Sequence, residues 1–236
     1  MLKPVMTIIG YGPMGKRFTD LFSEDYCVIV SSSRNVQEEV SSSGAVITND
    51  RPMSIAKSDY IFLAVPLNSL SLLIEEINTH RKPGAIVIDC CSARVSAEKT
   101  LARLNCQHFG LHDVKSGEFC ITGKIDAGMK EFFNKKNISI NIVSPEEHDR
   151  VNAVIGIGHF IGLSVSKFLT KEEKEILSGI SSGSKLMSLV NHLEGNTPTT
   201  WRETQMDNDF TKYMRESFIK AVQDYHKSLS GGEYPF

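Results

Sequence analysis

The sequence has no surplus of either charge: 26 Lys and Arg stand against 28 Asp and Glu, a formal net charge of −2. Without a basic stripe or polybasic patch, nucleic acid and membrane surfaces are not expected as main partners. Uninterrupted apolar runs near the roughly 18 residues of a membrane span are also missing. Met1-Leu2-Lys3-Pro4 leads into a short strand, not into the apolar core of a signal peptide, so the expectation is a cytoplasmic protein. Cysteines are few and unpatterned. Cys27, Cys90, Cys91, Cys106 and Cys120 are odd in number, form no C-x-x-C pair and have no histidine at zinc-ligand spacing, so neither a disulfide framework nor a metal site is expected. Cys27, Cys90 and Cys91 fall in apolar strand-like runs and read as small buried hydrophobes.

What is present begins at residue 8. Ile8-Ile9-Gly10-Tyr11-Gly12-Pro13-Met14-Gly15 is a G-x-G-x-x-G set that follows the apolar run Val5 to Ile9 and opens a helical stretch, Met14 to Phe22. Gly10 permits the tight turn, Gly12 lets backbone approach a pyrophosphate, and Gly15 lets helix and strand pack closely. Pro13 and Met14 complete a dinucleotide loop. The second strand ends Ser31-Ser32-Ser33-Arg34 with no acid at its tip, where an NAD site normally carries Asp or Glu. Ser31, Ser33 and Arg34 suit the extra phosphate of NADP, so NADP is expected over NAD.

Short β-rich runs near 26 to 31, 45 to 48, 59 to 65, 85 to 90, 107 to 111 and 138 to 143 alternate with helical patterns. This predicts an α/β fold with an N-terminal Rossmann-type, doubly wound, mostly parallel sheet. At Ser144-Pro145-Glu146-Glu147 the pattern changes: a capping serine, a proline at the first helical position and a glutamate two residues on mark a helix start. Residues 145 to 169, 171 to 193 and about 199 to 229 read as helices. With 236 residues there is room for two modest domains, and the division predicted is a dinucleotide-binding domain, 1–144, and a smaller all-helical domain, 145–236. The tail from Ser230 to Phe236 is expected to be loose or packed on a partner.

Chemistry is suggested at two further strand ends, Asp89-Cys90-Cys91-Ser92-Ala93-Arg94 and Gly110-Leu111-His112-Asp113. Ligands in open α/β sheets bind at the carboxyl ends of strands. Ser92 and His112 could converge there, the hydroxyl orienting the imidazole and a neutral imidazole taking a proton from a substrate alcohol. His148 and His159 lie eleven residues apart on one helix and share a face with Asn152 and Ile155. His148, close to the helix start, reads as a capping or interface residue, and His159 as the better substrate contact.

These motifs resemble the prephenate and arogenate dehydrogenases of tyrosine biosynthesis over most of the chain. The nucleotide loop, Ala64-Val65-Pro66, the Asp89 to Ser92 element, His112 at the position of the family's catalytic histidine, and Glu146-Glu147-His148-Asp149 followed by Gly158-His159-Phe160 carry the likeness. The resemblance implies an oxidative decarboxylation with hydride transfer to NADP, Val65 and Pro66 at the end of a later strand as further cofactor-binding residues, a cleft between the two domains, and a homodimer formed through the helical domain, with Gly156, Gly158 and Gly162 permitting close approach. It also exposes departures. Asp113 stands where the family has proline, Arg94 where it has lysine, and His192 where a carboxylate-binding arginine is usual; Arg202 or Lys115 could take that arginine's place, and Lys115 and His192 join His159 as the expected substrate-binding residues. Hydroxyacid dehydrogenases, pyrroline carboxylate reductases and deazaflavin-linked NADP reductases share the loop and helical tail, though Lys167 and Lys171 sit in no convincing motif for the first of these. A catalytically silent NADP-binding sensor is the alternative from another class.

Overall fold

The computed structural model describes residues 2–115, 117–195 and 198–231. The tail beyond Gly231 and Asn196-Thr197 of the breaker before Pro198 lie outside them. The chain divides into two compact units, Met1–His148 and Asp149–Phe236.

In the first unit, β1 (Val5–Ile9), β2 (Cys27–Ser31), β3 (Val46–Thr48), β4 (Tyr60–Leu63), β5 (Ile86–Asp89), β6 (His108–Lys115), β7 (Glu118–Gly123) and β8 (Ser139–Val143) form a sheet in the order β3-β2-β1-β4-β5-β6-β7-β8. Among the described residues every neighbouring pair is parallel except β6 and β7. The helices α1 (Pro13–Phe22), α2 (Gln37–Ser41), α3 (Arg51–Lys57), α4 (Leu67–His80), α5 (Arg94–Leu101) and α6 (Ala127–Lys135) lie between strands along the chain. Alternating strand side chains feed two cores. One gathers Phe18, Phe22, Phe62, Phe119 and Phe133; the other gathers Ile55, Ile61, Leu70, Ile77 and Leu101. Each such side chain, fully buried, contributes roughly 1.5–3 kcal/mol, which holds helices against both faces of the sheet.

Two features depart from the predicted alternation. β7 follows β6 directly, because the chain reverses instead of crossing over. β6 also runs on to Lys115, so His112 lies within a strand, opposite Cys120 of β7, two residues beyond Gly110, the last residue paired with β5. Cys27 is a further correction: as the first residue of β2 it is exposed, whereas Cys91 is buried and Cys90 half-buried.

The helices α7 (Pro145–Phe168), α8 (Lys171–Ser178), α9 (Ser181–Glu194), α10 (Pro198–Gln205) and α11 (Asp209–Ser230) follow. α7 starts as its sequence predicts, with the Glu147 N–H donating to Ser144 Oγ at 3.1 Å. The two long helices expected after it are each broken. Thr170 and Glu173 close a capping box on α8, which ends at Gly179 before α9 begins. Asn208 starts α11 afresh: its Oδ1 accepts from the Phe210 N–H at 3.0 Å while its Nδ2 donates to the Asp149 carbonyl at 2.9 Å. An 18-residue window of α7 has a mean hydropathy of 1.3, and 28% of that window is buried, so by length and composition this helix is apolar enough to cross a membrane. Counting uninterrupted apolar runs misses it because Gly, Ser and His punctuate the stretch. Two of its glycines serve packing inside the helical unit: a Cβ on Gly156 would meet Thr211 at 2.9 Å and one on Gly162 would meet Leu193 at 2.5 Å, whereas one on Gly158 meets nothing.

At the carboxyl end of the parallel strands sits a fully buried ion pair. Arg94 Nη1 and Nη2 donate to the Asp89 carboxylate at 2.6 and 2.9 Å, and Nε donates to Thr122 Oγ1 at 2.9 Å. The guanidinium lies against Gly110, where a Cβ would stand 1.7 Å from Nη2. Burial opposes the charge on Arg94, and the adjacent Asp89 carboxylate overrides it, raising the guanidinium's pKa. Gly110→Ala must displace one member of this pair, and losing a partner inside low-dielectric surroundings costs about 3–5 kcal/mol. Chemical denaturation of the variant should show that loss; a drop below about 1 kcal/mol would mean that the site relaxes around the methyl group.

Candidate active site

The glycine loop lies at the topological switch point, where β1 is flanked by β2 on one side and β4 on the other. Gly10, at φ +96°, is required by its neighbour: a Cβ there would come within 2.3 Å of the Ala64 carbonyl oxygen. The Gly10 N–H donates to the Ser31 carbonyl at 2.9 Å, which ties the loop to the end of β2. Gly12 caps α1 with no side chain, the first turn carries no acid, and a Cβ on Gly12 would meet nothing within 4 Å. Unpaired helix N–H groups therefore face open space, the arrangement that accepts phosphate.

A cleft of about 600 Å³ opens here. Of the predicted cofactor residues, Gly10, Gly12, Ser31, Ser33, Arg34, Val65 and Pro66 line it. Pro13, Met14 and Gly15 form the first turn of α1 instead, where Gly15 packs on the Gly10 carbonyl. Arg34 Nη2 donates to the Tyr11 carbonyl, so the arginine braces the glycine loop. Arg51 also lines the cleft, a cation the sequence reading overlooked, but Glu76 holds it by a bidentate pair with contacts of 2.6 to 3.0 Å. The pockets and contacts of this region thus offer serines and Arg34 to an adenosine ribose, and no carboxylate among Ser31 to Arg34.

Beyond the parallel strand ends, β6 presents His112, half-buried, with Nδ1 2.7 Å from Nε2 of His148 and the two rings at 73°. His148, 7% exposed, is held in the first turn of α7 by its N–H to the Ser144 carbonyl at 3.0 Å. The sequence places His148 at a helix start as a capping or interface residue; the structure sets its imidazole against His112. The signal was the Glu-Glu-His-Asp motif itself, but its partner lies 36 residues away. Asp113, on the opposite face of β6, pairs with Arg17 of α1; burial raises its carboxyl despite the guanidinium. Arg94, of the serine element, is committed to Asp89, and Ser92 follows on the same loop between β5 and α5. Lys115 ends β6, and its side chain lies outside the described ones.

In the helical unit, His159 of α7 stands edge-on to Trp201 of α10, ring centres 5.8 Å apart. Burial, reinforced by the charge of His192 on α9, lowers its pKa below the ordinary 6.5. At neutral pH His159 is thus a hydrogen-bonding group and not a cation. Because the folded pKa is depressed, the stability tied to a neutral His159 is intact above 6.5 and is lost as pH falls below 6.5 through the folded value. An NMR titration should place the His159 midpoint below 6.5, and His192→Ala should move it upward; an unmoved midpoint would remove His192 as a cause.

A glycine loop at the switch point of a doubly wound sheet defines the Rossmann-type dinucleotide-binding class of folds, here followed by an all-helical unit. Residues 5–93 match the family model described as NADP oxidoreductase, coenzyme F420-dependent, and residues 144–235 match that of the prephenate dehydrogenase dimerization domain. A probable arogenate/prephenate dehydrogenase of Methanocaldococcus jannaschii is 24% identical over 260 aligned positions, covering 93% of this chain and 55% of its own length. The chain therefore spans about half the length of that relative. The fold is similar to prephenate dehydrogenase of Aquifex aeolicus (TM-score 0.79, 17% identity, 96% of this chain and 92% of that one). It is similar also to the A. aeolicus enzyme in complex with hydroxyphenyl propionate and NAD+ (0.77, 14%, 98% and 92%) and to Synechocystis arogenate dehydrogenase (0.57, 17%, 96% and 90%). The chain is thus similar to prephenate and arogenate dehydrogenases in its helical segment, in sequence at 24% identity, and in fold.

Proposed function

We propose that the chain is an NADP-dependent dehydrogenase that oxidatively decarboxylates prephenate or arogenate, working as a cytoplasmic homodimer. The observation that carries this reading is the pairing, within one unit, of a glycine-loop cleft that has no carboxylate among Ser31 to Arg34 with an imidazole just beyond the parallel strand ends. Residues 1–144 hold the dinucleotide, with the phosphates over Gly12 and the α1 N-terminus and the ribose phosphate toward Ser31, Ser33 and Arg34. Residues 145–236 contribute substrate contacts and the dimer. The partly bare apolar surface of α7, with Val151 61%, Val154 60% and Ile155 50% exposed, supports association through the helical unit, as does the match to a dimerization domain.

When bound, the nicotinamide supplies the hydride acceptor. His112, assisted by Ser92, takes the proton of the substrate ring hydroxyl as hydride leaves the same carbon. The bond to the ring carboxylate then breaks, carbon dioxide departs, its electron pair completes the aromatic ring, and His112 returns the proton to the oxygen, now phenolic. The chain's work is positioning and proton transfer, which together are worth several orders of magnitude in rate. His159 offers the substrate a neutral hydrogen-bond partner. His192 and Lys115 are proposed to meet its carboxylate in place of the family arginine.

The match of residues 5–93 to coenzyme F420-dependent NADP oxidoreductases favours a second reading, hydride exchange between NADP and a different small substrate. A screen of prephenate and arogenate with NADP and NAD tests the first: carbon dioxide release with equimolar NADPH supports it, and NADP binding without turnover of either substrate overturns it in favour of another substrate or a catalytically silent NADP-binding sensor. His112→Asn should lower kcat by about 100-fold or more while NADP affinity stays within about twofold; equal losses in both would make the histidine structural. Arg34→Ala should weaken NADP about tenfold or more relative to NAD, in line with loss of a charge-assisted contact, and parallel losses would end the phosphate-binding role.

A further inference from the structure

His148 is a buried titratable group that the reaction as drawn above does not use. We propose that it is a positioning residue: its Nε2 accepts the Nδ1–H of His112 and so fixes His112 in the tautomer whose Nε2 carries a lone pair. This rests on the reading of His112 as the base.

The geometry points to it directly. At 2.7 Å, one proton lies between His112 Nδ1 and His148 Nε2, and the rings stand edge to face at 73°. Two arrangements satisfy that contact. If His148 donated, the neutral His112 would hold its own proton on Nε2 and have no lone pair outside the pair; if His112 donates, its Nε2 is basic. Only the second lets His112 take the substrate proton. The contact also strengthens at the right moment, since protonation of Nε2 makes His112 an imidazolium and turns the Nδ1–H···Nε2 bond into a charge-assisted one, roughly twice as strong. An interaction that grows as charge develops raises kcat, whereas one of constant strength does not.

The partner is held independently of the strand it serves. The Ser144 cap, Pro145 at the first helical position and the His148 N–H to the Ser144 carbonyl at 3.0 Å fix the first turn of α7. Cys120 stands opposite His112 in the hairpin, and Arg94 and Glu147 lie within electrostatic reach of that thiol. Burial raises the Cys120 thiol, so it stays protonated.

The tautomer can be read without turnover. In protein labelled with nitrogen-15 in histidine, with the His112 signals assigned by their loss in His112→Asn, long-range proton–nitrogen correlation should show wild-type His112 as the Nδ1–H form. His148→Leu should convert it toward the Nε2–H form that an isolated imidazole prefers. In kinetics, His148→Leu should lower kcat on the order of 10- to 100-fold with the KM for NADP within about twofold, the worth of one charge-assisted bond. His148→Gln, whose Oε1 can accept the Nδ1–H, should recover most of it. An Nε2–H form in the wild type overturns the proposal even if His148→Leu does not fold, and so does an unchanged tautomer in a leucine variant that melts normally. If neither prephenate nor arogenate turns over, the dehydrogenase reading fails, while the nitrogen shifts still decide what His148 does.

Discussion

The Asp89–Arg94 pair is the interaction on which the site end of the sheet depends. A guanidinium at 0% exposure is sustained only when its donors are met, and here they reach β5 through Asp89, the following loop through the Cys91 carbonyl, and β7 through Thr122. Such a pair adds little net stability beyond what apolar residues of similar volume would give, because desolvation cancels much of the attraction. Its value lies in geometry. It threads over Gly110 and ties β5 to β7 across β6, at the level where β6 leaves the parallel sheet. The Asp-x-x-Ser element therefore carries two separable jobs: Asp89 fastens, and the loop it fastens carries Ser92 toward the chemistry proposed for it.

The same economy governs the cofactor cleft. Arg34 braces the glycine loop through the Tyr11 carbonyl, so the side chain proposed to meet the ribose phosphate also sets the shape of the pyrophosphate turn. Arg51 shares the cleft but has its charge matched by Glu76. Positive charge at the Ser31 to Arg34 end of the cleft thus comes from the exposed Arg34, beside a run of neutral serines. Proximity alone would have nominated both cations; pairing separates them.

How much of this was legible depends on the range of the interactions involved. Local signals read well: Gly10, Gly12 and Gly15 after an apolar strand, Ser144-Pro145 before α7, and the continuously apolar central strands all declare themselves within a few residues. β7 did not, because the reading sought strands alternating with helices and the hairpin breaks that rule with Phe119 and Ile121 buried directly after β6. The interruption before α11 has a local cap, Asn208 Oδ1 accepting from the Phe210 N–H, but the bond that anchors that turn, from Asn208 Nδ2 to the Asp149 carbonyl, spans 59 residues. His148 read as a capping or interface residue from its place in the first turn of a helix, and only the folded chain shows the imidazole of His112 beside it. Arg94 shows the reverse error, a motif position that read as chemistry and is occupied with holding the core.

The reversal between β6 and β7 sets a rule of parity. β6 runs past the end of the parallel sheet, β7 returns antiparallel, and β8 follows β7 back until Val143 stands level with Thr122 and Gly110, where α7 begins. Side chains alternate along such an arm, so His112 shares a face with Gly110 and Asp113 takes the other, toward Arg17. Inserting or deleting one residue between Gly110 and His112 would turn the imidazole to the far side of the sheet, while a change of two would keep its face and only lengthen the reach. The arm is thus a spacer that tolerates variation in pairs, and a homologue that differs there by an odd number of residues would have to find its histidine elsewhere.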